Sequence, residues 1–337
     1  MKLTKYKSKV KKKIENGELQ IIPASRKNEI LNLLDDAEDV SFSRPSKDIK
    51  WGIPVPGDET QTMYVWADAL TNYISALGYG TNEDNFKKYW PADVHLVGKD
   101  IVRFHAMIWP AMLLSAGLPI PKAIYVHGFI NVEGEKMSKT VGNVIDPFIL
   151  VDKYGVEPVR YFLLREISST EDGDFSYKKL EDRYNGDLAN GLGNLVRRVI
   201  TLIDSKLNSE LIFKQDLIDK QVEEKINVAF KKYESNIKSF ILHEAAGNIW
   251  ELIGFANKYM DEKAPWAAIK YDESEFLATM TNLLYVLYNI SWMLLPFMPD
   301  TADKIFETFG ADKNAMALES YKFIVKVGEP LFPRILK

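Results

Sequence analysis

Ala123-Ile124-Tyr125-Val126-His127-Gly128-Phe129 runs apolar almost without a break. A strand of that composition belongs inside a sheet covered on both faces. Two other short runs read as strands, at 62–66 and 93–97, and helical patterns follow them at 67–77 and 101–115, the second with an expected kink near Pro110. Strand runs separated by helical runs predict parallel βαβ packing. After the quoted strand come a Glu133-Gly134-Glu135 turn and then Lys136-Met137-Ser138-Lys139-Thr140, leading into Val141-Gly142-Asn143 and an Asp146-Pro147 turn. Two lysines three apart on a loop of small or flexible residues can swing over a polyphosphate and neutralise charge that develops as it is cleaved. By residue type alone such a loop is more often simply a solvated basic loop.

At 337 residues and 46% apolar content the chain suits about two domains with packed cores. A formal net charge of -4 argues against binding nucleic acid by bulk charge, yet leaves room for a local basic face. There is no cysteine, which removes disulfides and thiolate zinc sites, and no zinc or other metal site is expected in this chain. The lysine-rich first twenty residues lack the apolar core of a secretory signal, and the apolar stretch 283–298 is interrupted by Asn289, Ser291 and Pro296. The expectation is a soluble, cytoplasmic protein with no membrane partner.

Helical patterns cover 2–15 and 25–34, the latter opened by Ser25 as N-cap. Trp51-Gly52-Ile53-Pro54-Val55-Pro56-Gly57-Asp58 must be extended, since each proline disfavours helix in the residue before it. Beyond Glu181 strand signals vanish. Leu188, Leu192, Leu195, Val199 and Ile203 recur at helical spacing, and similar stripes run through 219–240, 243–262 and 275–296, which predicts an all-α bundle.

Several segments resemble one family. The pentapeptide 136–140 resembles the K-M-S-K-S loop of class I aminoacyl-tRNA synthetases. Met63-Tyr64-Val65-Trp66-Ala67-Asp68-Ala69-Leu70-Thr71-Asn72-Tyr73 is similar to the strand-to-helix element of the methionine pocket in methionyl-tRNA synthetases. Val97-Gly98-Lys99-Asp100-Ile101-Val102-Arg103-Phe104-His105 with Trp109-Pro110 resembles the family's next binding element, and Asn257-Lys258-Tyr259-Met260-Asp261 with Ala264-Pro265-Trp266 its anticodon motif. The resemblance implies the second half of a Rossmann-like, doubly wound α/β catalytic domain followed by a helical-bundle anticodon-binding domain. Its divisions would be 1–50 as the tail of a connective region, 51–181 as half the catalytic domain, and 182–337 as the anticodon domain. Two departures stand out. The family's H-I-G-H signature is absent, because His95, His105, His127 and His243 each stand alone, and Leu70 occupies a position where some members carry proline. A complementing N-terminal half is therefore expected as a partner.

By the same resemblance, Lys136 and Lys139 steady the departing pyrophosphate and are the catalytic pair. Gly98, Asp100, His127, Gly128, Met137 and Ser138 contact ATP, which arrives with Mg2+ as its substrate complex. Trp66, Asp68, Ala69, Tyr73, Ile101, Phe104, His105 and Trp109 form the methionine site, where aromatic rings suit a thioether. Asn194, Arg198, Asn257, Asp261 and Trp266 read the anticodon of tRNA(Met), with hydrogen bonds to splayed bases and an aromatic stacking plane. The expected activity is activation of methionine with ATP and its transfer to tRNA(Met); the alternative is a non-catalytic anticodon-binding fragment or degenerate relative.

Overall fold

The structure, a computed structural model, describes residues 1–49, 51–138, 140, 142–313 and 318–335, and divides into two compact units, Met1–Phe129 and Ile130–Lys337. In the first unit the order is α1 (Lys7–Glu15), β1 (Gln20–Ile22), α2 (Ala24–Asp35), β2 (Ser43–Pro45), β3 (Pro54–Val55), β4 (Asp58–Met63), α3 (Val65–Ser75), α4 (Glu83–Tyr89), β5 (Val94–Gly98), α5 (Trp109–Ser115) and β6 (Ala123–His127). The stretch quoted above is the centre of a parallel three-stranded sheet, order β1-β6-β5, with Ala123 facing Gln20 on one side and Val94 on the other. Ile124 and Val126 pack into a core with Val10 and Ile14 of α1 and Ile30 and Leu34 of α2. At roughly 1.5–3 kcal/mol per fully buried large side chain, this cluster is what holds the basic α1 and the charge-balanced α2 to the sheet.

Three local expectations are corrected here. The 62–66 run does not join the parallel sheet; β4 ends at Met63 and pairs antiparallel with β2 and β3, because Gly57 at φ 82° turns the chain straight back on itself. The third parallel strand is instead β1. Ser25 does not cap α2, since Pro23 takes the N-cap position and no side chain accepts there. The 101–115 helix departs from α geometry ahead of Pro110, through a π-helical segment Phe104–Ile108, while the proline itself sits comfortably in the first turn of α5.

The second unit continues with β7 (Ile130–Val132), β8 (Glu135–Lys136), α6 (Pro147–Tyr154), α7 (Val156–Arg165), β9 (Gly173–Phe175), α8 (Tyr177–Arg183), α9 (Asn194–Leu207), β10 (Glu210–Ile212), α10 (Lys220–Lys238), α11 (Leu242–Lys263), α12 (Pro265–Ala268), α13 (Glu273–Leu294), α14 (Pro299–Phe309) and β11 (Lys322–Ile324). β7 pairs antiparallel with β8 and parallel with β9. The predicted stripe Leu188, Leu192, Leu195, Val199 and Ile203 is wholly buried in the core of the helical bundle. Strands do occur past Glu181, contrary to expectation: β10 pairs with β11 across more than a hundred residues.

One helix ties the loop-bearing segment to the bundle. The Glu157 carboxylate on α7 accepts from the backbone N–H of Asp300 (2.7 Å) and Thr301 (2.8 Å) and from the Thr301 hydroxyl, closing the N-terminus of α14. One turn on, Arg160 donates to the carbonyls of Phe297 (2.8 Å) and Pro296 (2.9 Å), just past the end of α13. Each charge meets the helix end whose partial charge it complements.

Candidate functional site

In the first unit, α3 and the π-helical segment face each other through rings. Trp66 stacks on Phe104 with centroids 4.1 Å apart and planes 9° from parallel, and meets His105 edge-on at 6.0 Å. The π turn accommodates Phe104 and His105 in successive positions while both reach the same group of rings. His105 Nδ1 lies 3.0 Å from the Ile101 carbonyl, which only accepts, so that nitrogen carries the proton. Nε2 is then the acceptor for the Tyr73 hydroxyl at 2.9 Å. Behind them Trp109 is 1% exposed and donates its Nε1–H to His95 Nε2 at 3.2 Å. Trp66, Tyr73, Ile101, Phe104, His105 and Trp109 are thus brought together. Ala69, three residues after Trp66 and four before Tyr73, shares their face of α3 and is exposed there, while Asp68 is exposed away from that face.

Sequence reading passed over two residues at this site. His95 had no signal beyond being a lone histidine in an apolar run, yet it orients Trp109 and packs on Tyr73 at 4.3 Å. Arg44 holds its guanidinium 3.9 Å from the Tyr64 ring centroid, fixing a cation against an aromatic that in turn borders Phe104.

Burial, with a smaller contribution from the neighbouring His105, pushes the His95 pKa down to about 4; burial also lowers that of His105, offset in part by its bond to Ile101. Both rings are neutral near pH 7. Unfolded imidazoles titrate near 6.5, so between about pH 6.5 and 4 the unfolded chain takes up protons that the folded pocket refuses. The sign is then fixed: this contribution to stability is complete above pH 6.5 and is lost as pH falls, on the order of 3 kcal/mol for His95. Urea unfolding followed by tryptophan fluorescence at pH 7 and 4.5 should register that loss, with a smaller drop in His95→Gln, which keeps an acceptor for Trp109. Equal drops in the two proteins would contradict the assignment.

At the carboxyl ends of β5 and β6, where open α/β sheets gather ligands, Gly98, Asp100 and His127 converge. A Cβ on Gly98 would lie 2.9 Å from Asp100 Oδ1 and 3.7 Å from the His127 ring, so only glycine leaves that space clear. His127 Nδ1 donates to the Gly128 carbonyl at 2.8 Å, which turns Nε2 outward as an acceptor.

In the second unit, Lys136 ends β8 and its side chain is exposed. Glu133 and Gly134, both at positive φ, make the tight turn before it, and the Gly134 N–H donates to Asp174 at 2.7 Å; the glycine here serves turn geometry rather than slack. Asn143 braces the loop from inside, accepting from Ser138 N–H at 2.9 Å and donating to the Lys136 carbonyl at 3.3 Å. Met137 and Ser138 are half-buried; Lys139 lies outside the described residues.

On the bundle, Arg198 of α9 donates to Asp261 of α11 at 2.6 Å, and its guanidinium lies 5.3 Å from the ring of Trp266, which is 45% exposed. Asn194 is exposed one turn before Arg198. Asn257 spends its amide on the carbonyls of Ile253 (3.1 Å) and Gly191 (3.4 Å), holding α11 against the π-helical segment Tyr184–Gly193 that leads into α9.

Residues 1–200 match the family described as tRNA synthetases class I (M). This chain belongs to the class I methionyl-tRNA synthetase family. Residues 215–329 match the anticodon-binding domain of methionyl tRNA ligase. The methionine–tRNA ligase of Caldanaerobacter subterraneus subsp. tengcongensis is 47% identical over 99% of this chain and 54% of its own length, and that of Thermotoga maritima 41% identical with the same coverage. Among solved structures, Mycobacterium tuberculosis methionyl-tRNA synthetase in complex with methionyl-adenylate superposes with a TM-score of 0.90 at 35% identity, over 98% of this chain and 68% of that one. The chain spans about half the length of the curated relatives it matches. A mixed α/β region followed by a helical anticodon-binding domain is therefore the architecture of this family member. Among the described residues no helix is long and apolar enough to cross a membrane.

Proposed function

We propose that this chain supplies the methionine pocket, the phosphate-facing loop and the anticodon-reading surface of a cytoplasmic methionine–tRNA ligase, and that it works with an N-terminal complement. The observation that carries the reading is the Trp66–Phe104 stack closed by the Tyr73–His105 hydrogen bond, in a family member whose solved relative holds methionyl-adenylate. A protein kept only to bind an anticodon gains nothing from such a pocket. An apolar thioether side chain fits between rings, and two neutral histidines add no charge that would oppose its burial.

The chemistry needs no general base in its first step. The methionine carboxylate attacks the α-phosphorus of ATP·Mg2+, the bond from that phosphorus to the bridging oxygen breaks, and pyrophosphate departs with the electron pair. Lys136 and Lys139 stabilise the charge on the leaving group, while Gly98, Asp100, His127 and Gly128 hold the nucleotide. A ribose hydroxyl at the end of tRNA(Met) then attacks the activated carbonyl and displaces AMP. Arg198, Asn194 and Trp266 select that tRNA by its anticodon, with Asp261 steering the guanidinium.

The need for a complement is supported by the sheet. β5 is an edge strand whose Leu96 is 67% exposed, which is unusual for a strand of an α/β core. Methionine-dependent ATP–pyrophosphate exchange tests the reading. The chain alone should show none, and exchange should appear on adding a family N-terminal segment that carries the H-x-G-H motif. If exchange stays absent in the mixture while the chain binds tRNA(Met), the non-catalytic binding module is the better description.

A further inference from the structure

Beside the anticodon cluster lies a second polar groove. Its floor is the start of α9 with the π-helical turn before it, and its wall is the C-terminal segment 330–334. The cavity is about 350 Å³, the size range of small-ligand sites. Asn190, Asn194, Arg197 and Arg334 line it, and all four are exposed. Neither arginine has an ion-pair or hydrogen-bond partner among the described residues, so both guanidiniums are free to meet a ligand. The only carboxylate in 326–335, Glu329, lines the adjoining cleft, which Arg197 also borders, without an ion pair between them.

The wall is built to stay in place. Asn185 donates to the Ile335 carbonyl at 3.2 Å and accepts from its N–H at 3.0 Å, so the backbone next to Arg334 is fastened to the π-helical turn. Phe332, 8% exposed, anchors the same segment edge-on against Tyr184. Gly193 keeps the floor low: a Cβ there would stand 3.1 Å from the Leu188 carbonyl and 3.9 Å from Phe332. Asn194 belongs to both surfaces. Arg198, four residues on, shares its helix face toward Trp266, and Arg197, three residues on, shares its face toward the groove.

Two unpaired guanidiniums, one from the floor and one from the wall of the same groove, form a site for phosphate, which arginine binds bidentately. We propose that this groove binds the sugar–phosphate backbone of the single-stranded RNA loop flanking the bases read at Arg198 and Trp266, with Arg197 and Arg334 each taking one phosphate. The proposal rests on the anticodon reading above and extends it from bases to backbone. Phosphate contacts position an RNA without reporting its sequence. The groove therefore contributes affinity and register, while discrimination stays with the neighbouring cluster.

The test is binding of the full chain to two RNA hairpins, one with a CAU anticodon loop and one with that triplet replaced, between 50 and 200 mM salt. Arg197→Ala and Arg334→Ala should each weaken binding to both hairpins by the same factor. Each should also flatten the dependence of log K on log salt by about 0.7, the value for one phosphate contact on a single strand. Arg197→Lys should restore most of the slope, which a merely structural role would not predict. Trp266→Ala should instead erase the preference for CAU. A wild-type chain that prefers CAU, with an Arg197→Ala/Arg334→Ala double variant of unchanged slope, overturns the groove alone. A wild-type chain that binds both hairpins equally overturns the anticodon reading, and the groove with it.

Discussion

Lys136→Ala lowers methionine-dependent ATP–pyrophosphate exchange of the complemented enzyme by about 100- to 1000-fold, the usual effect of removing one stabiliser of developing charge. The loss falls on kcat, with little change in KM for ATP, because the pyrophosphate gains its extra charge only as the bond to the α-phosphorus breaks. The geometry supports a focused effect. Lys136 hangs from a backbone fixed on one side by the β7–β8 ladder and on the other by Asn143, so its removal leaves the loop's frame in place. Lys136→Arg should recover only part of the rate, since a planar fork replaces a compact ammonium at the same point. Full exchange in Lys136→Ala would remove the loop from the chemistry. A rise in KM with kcat unchanged would make it a ground-state binding element instead.

Glu157→Ala destabilises the full chain by about 3 kcal/mol, measured by urea unfolding at pH 7. The variant strands the N–H groups of Asp300 and Thr301 and the Thr301 hydroxyl, at a site where Glu157 is 9% and Thr301 4% exposed. Orphaned buried donors cost about 1–3 kcal/mol each, while losing a buried carboxylate returns part of that. Glu157→Gln keeps one acceptor and should cost about half as much. A variant within 0.5 kcal/mol of wild type would show that water replaces the carboxylate at the start of α14 without penalty.

What the sequence made legible follows the length of each signal. The 188–203 stripe, which runs from the π-helical segment into α9, could be read because five apolar positions in register outweigh any local ambiguity, and every one of them is buried. β6 could be read because it is central and apolar on both faces. β1, β9, β10 and β11 are three residues each, too short for a pattern, and β10 and β11 hold together only through partners remote in sequence. The π-helical segments left no trace in residue spacing, because one inserted residue per turn is absorbed by hydrogen bonding that the side-chain pattern does not record.

The site divides in a similar way. The rings of Trp66, Phe104 and His105 and the Arg198–Trp266 pair could be anticipated because whole motifs carried them. His95, Arg44 and Asn143 could not, since each acts by holding another residue and no residue type announces that task. Asp68 is carried by its motif alone: on α3 its carboxylate is exposed, and no contact among the described residues assigns it a task.

The fastening of Ile335 to Asn185 bears on how the protein is handled at the bench. Any polypeptide joined after residue 335 leaves from the rim that carries Arg334. At about 3.3 Å per extended residue, a purification tag of ten residues sweeps a radius of roughly 30 Å around that rim. An acidic epitope placed there would sit among the very cations that RNA must reach and would compete with it. Affinities taken from such a fusion would look weak and less salt-dependent than those of the free chain, so binding work calls for a tag at the other terminus or none.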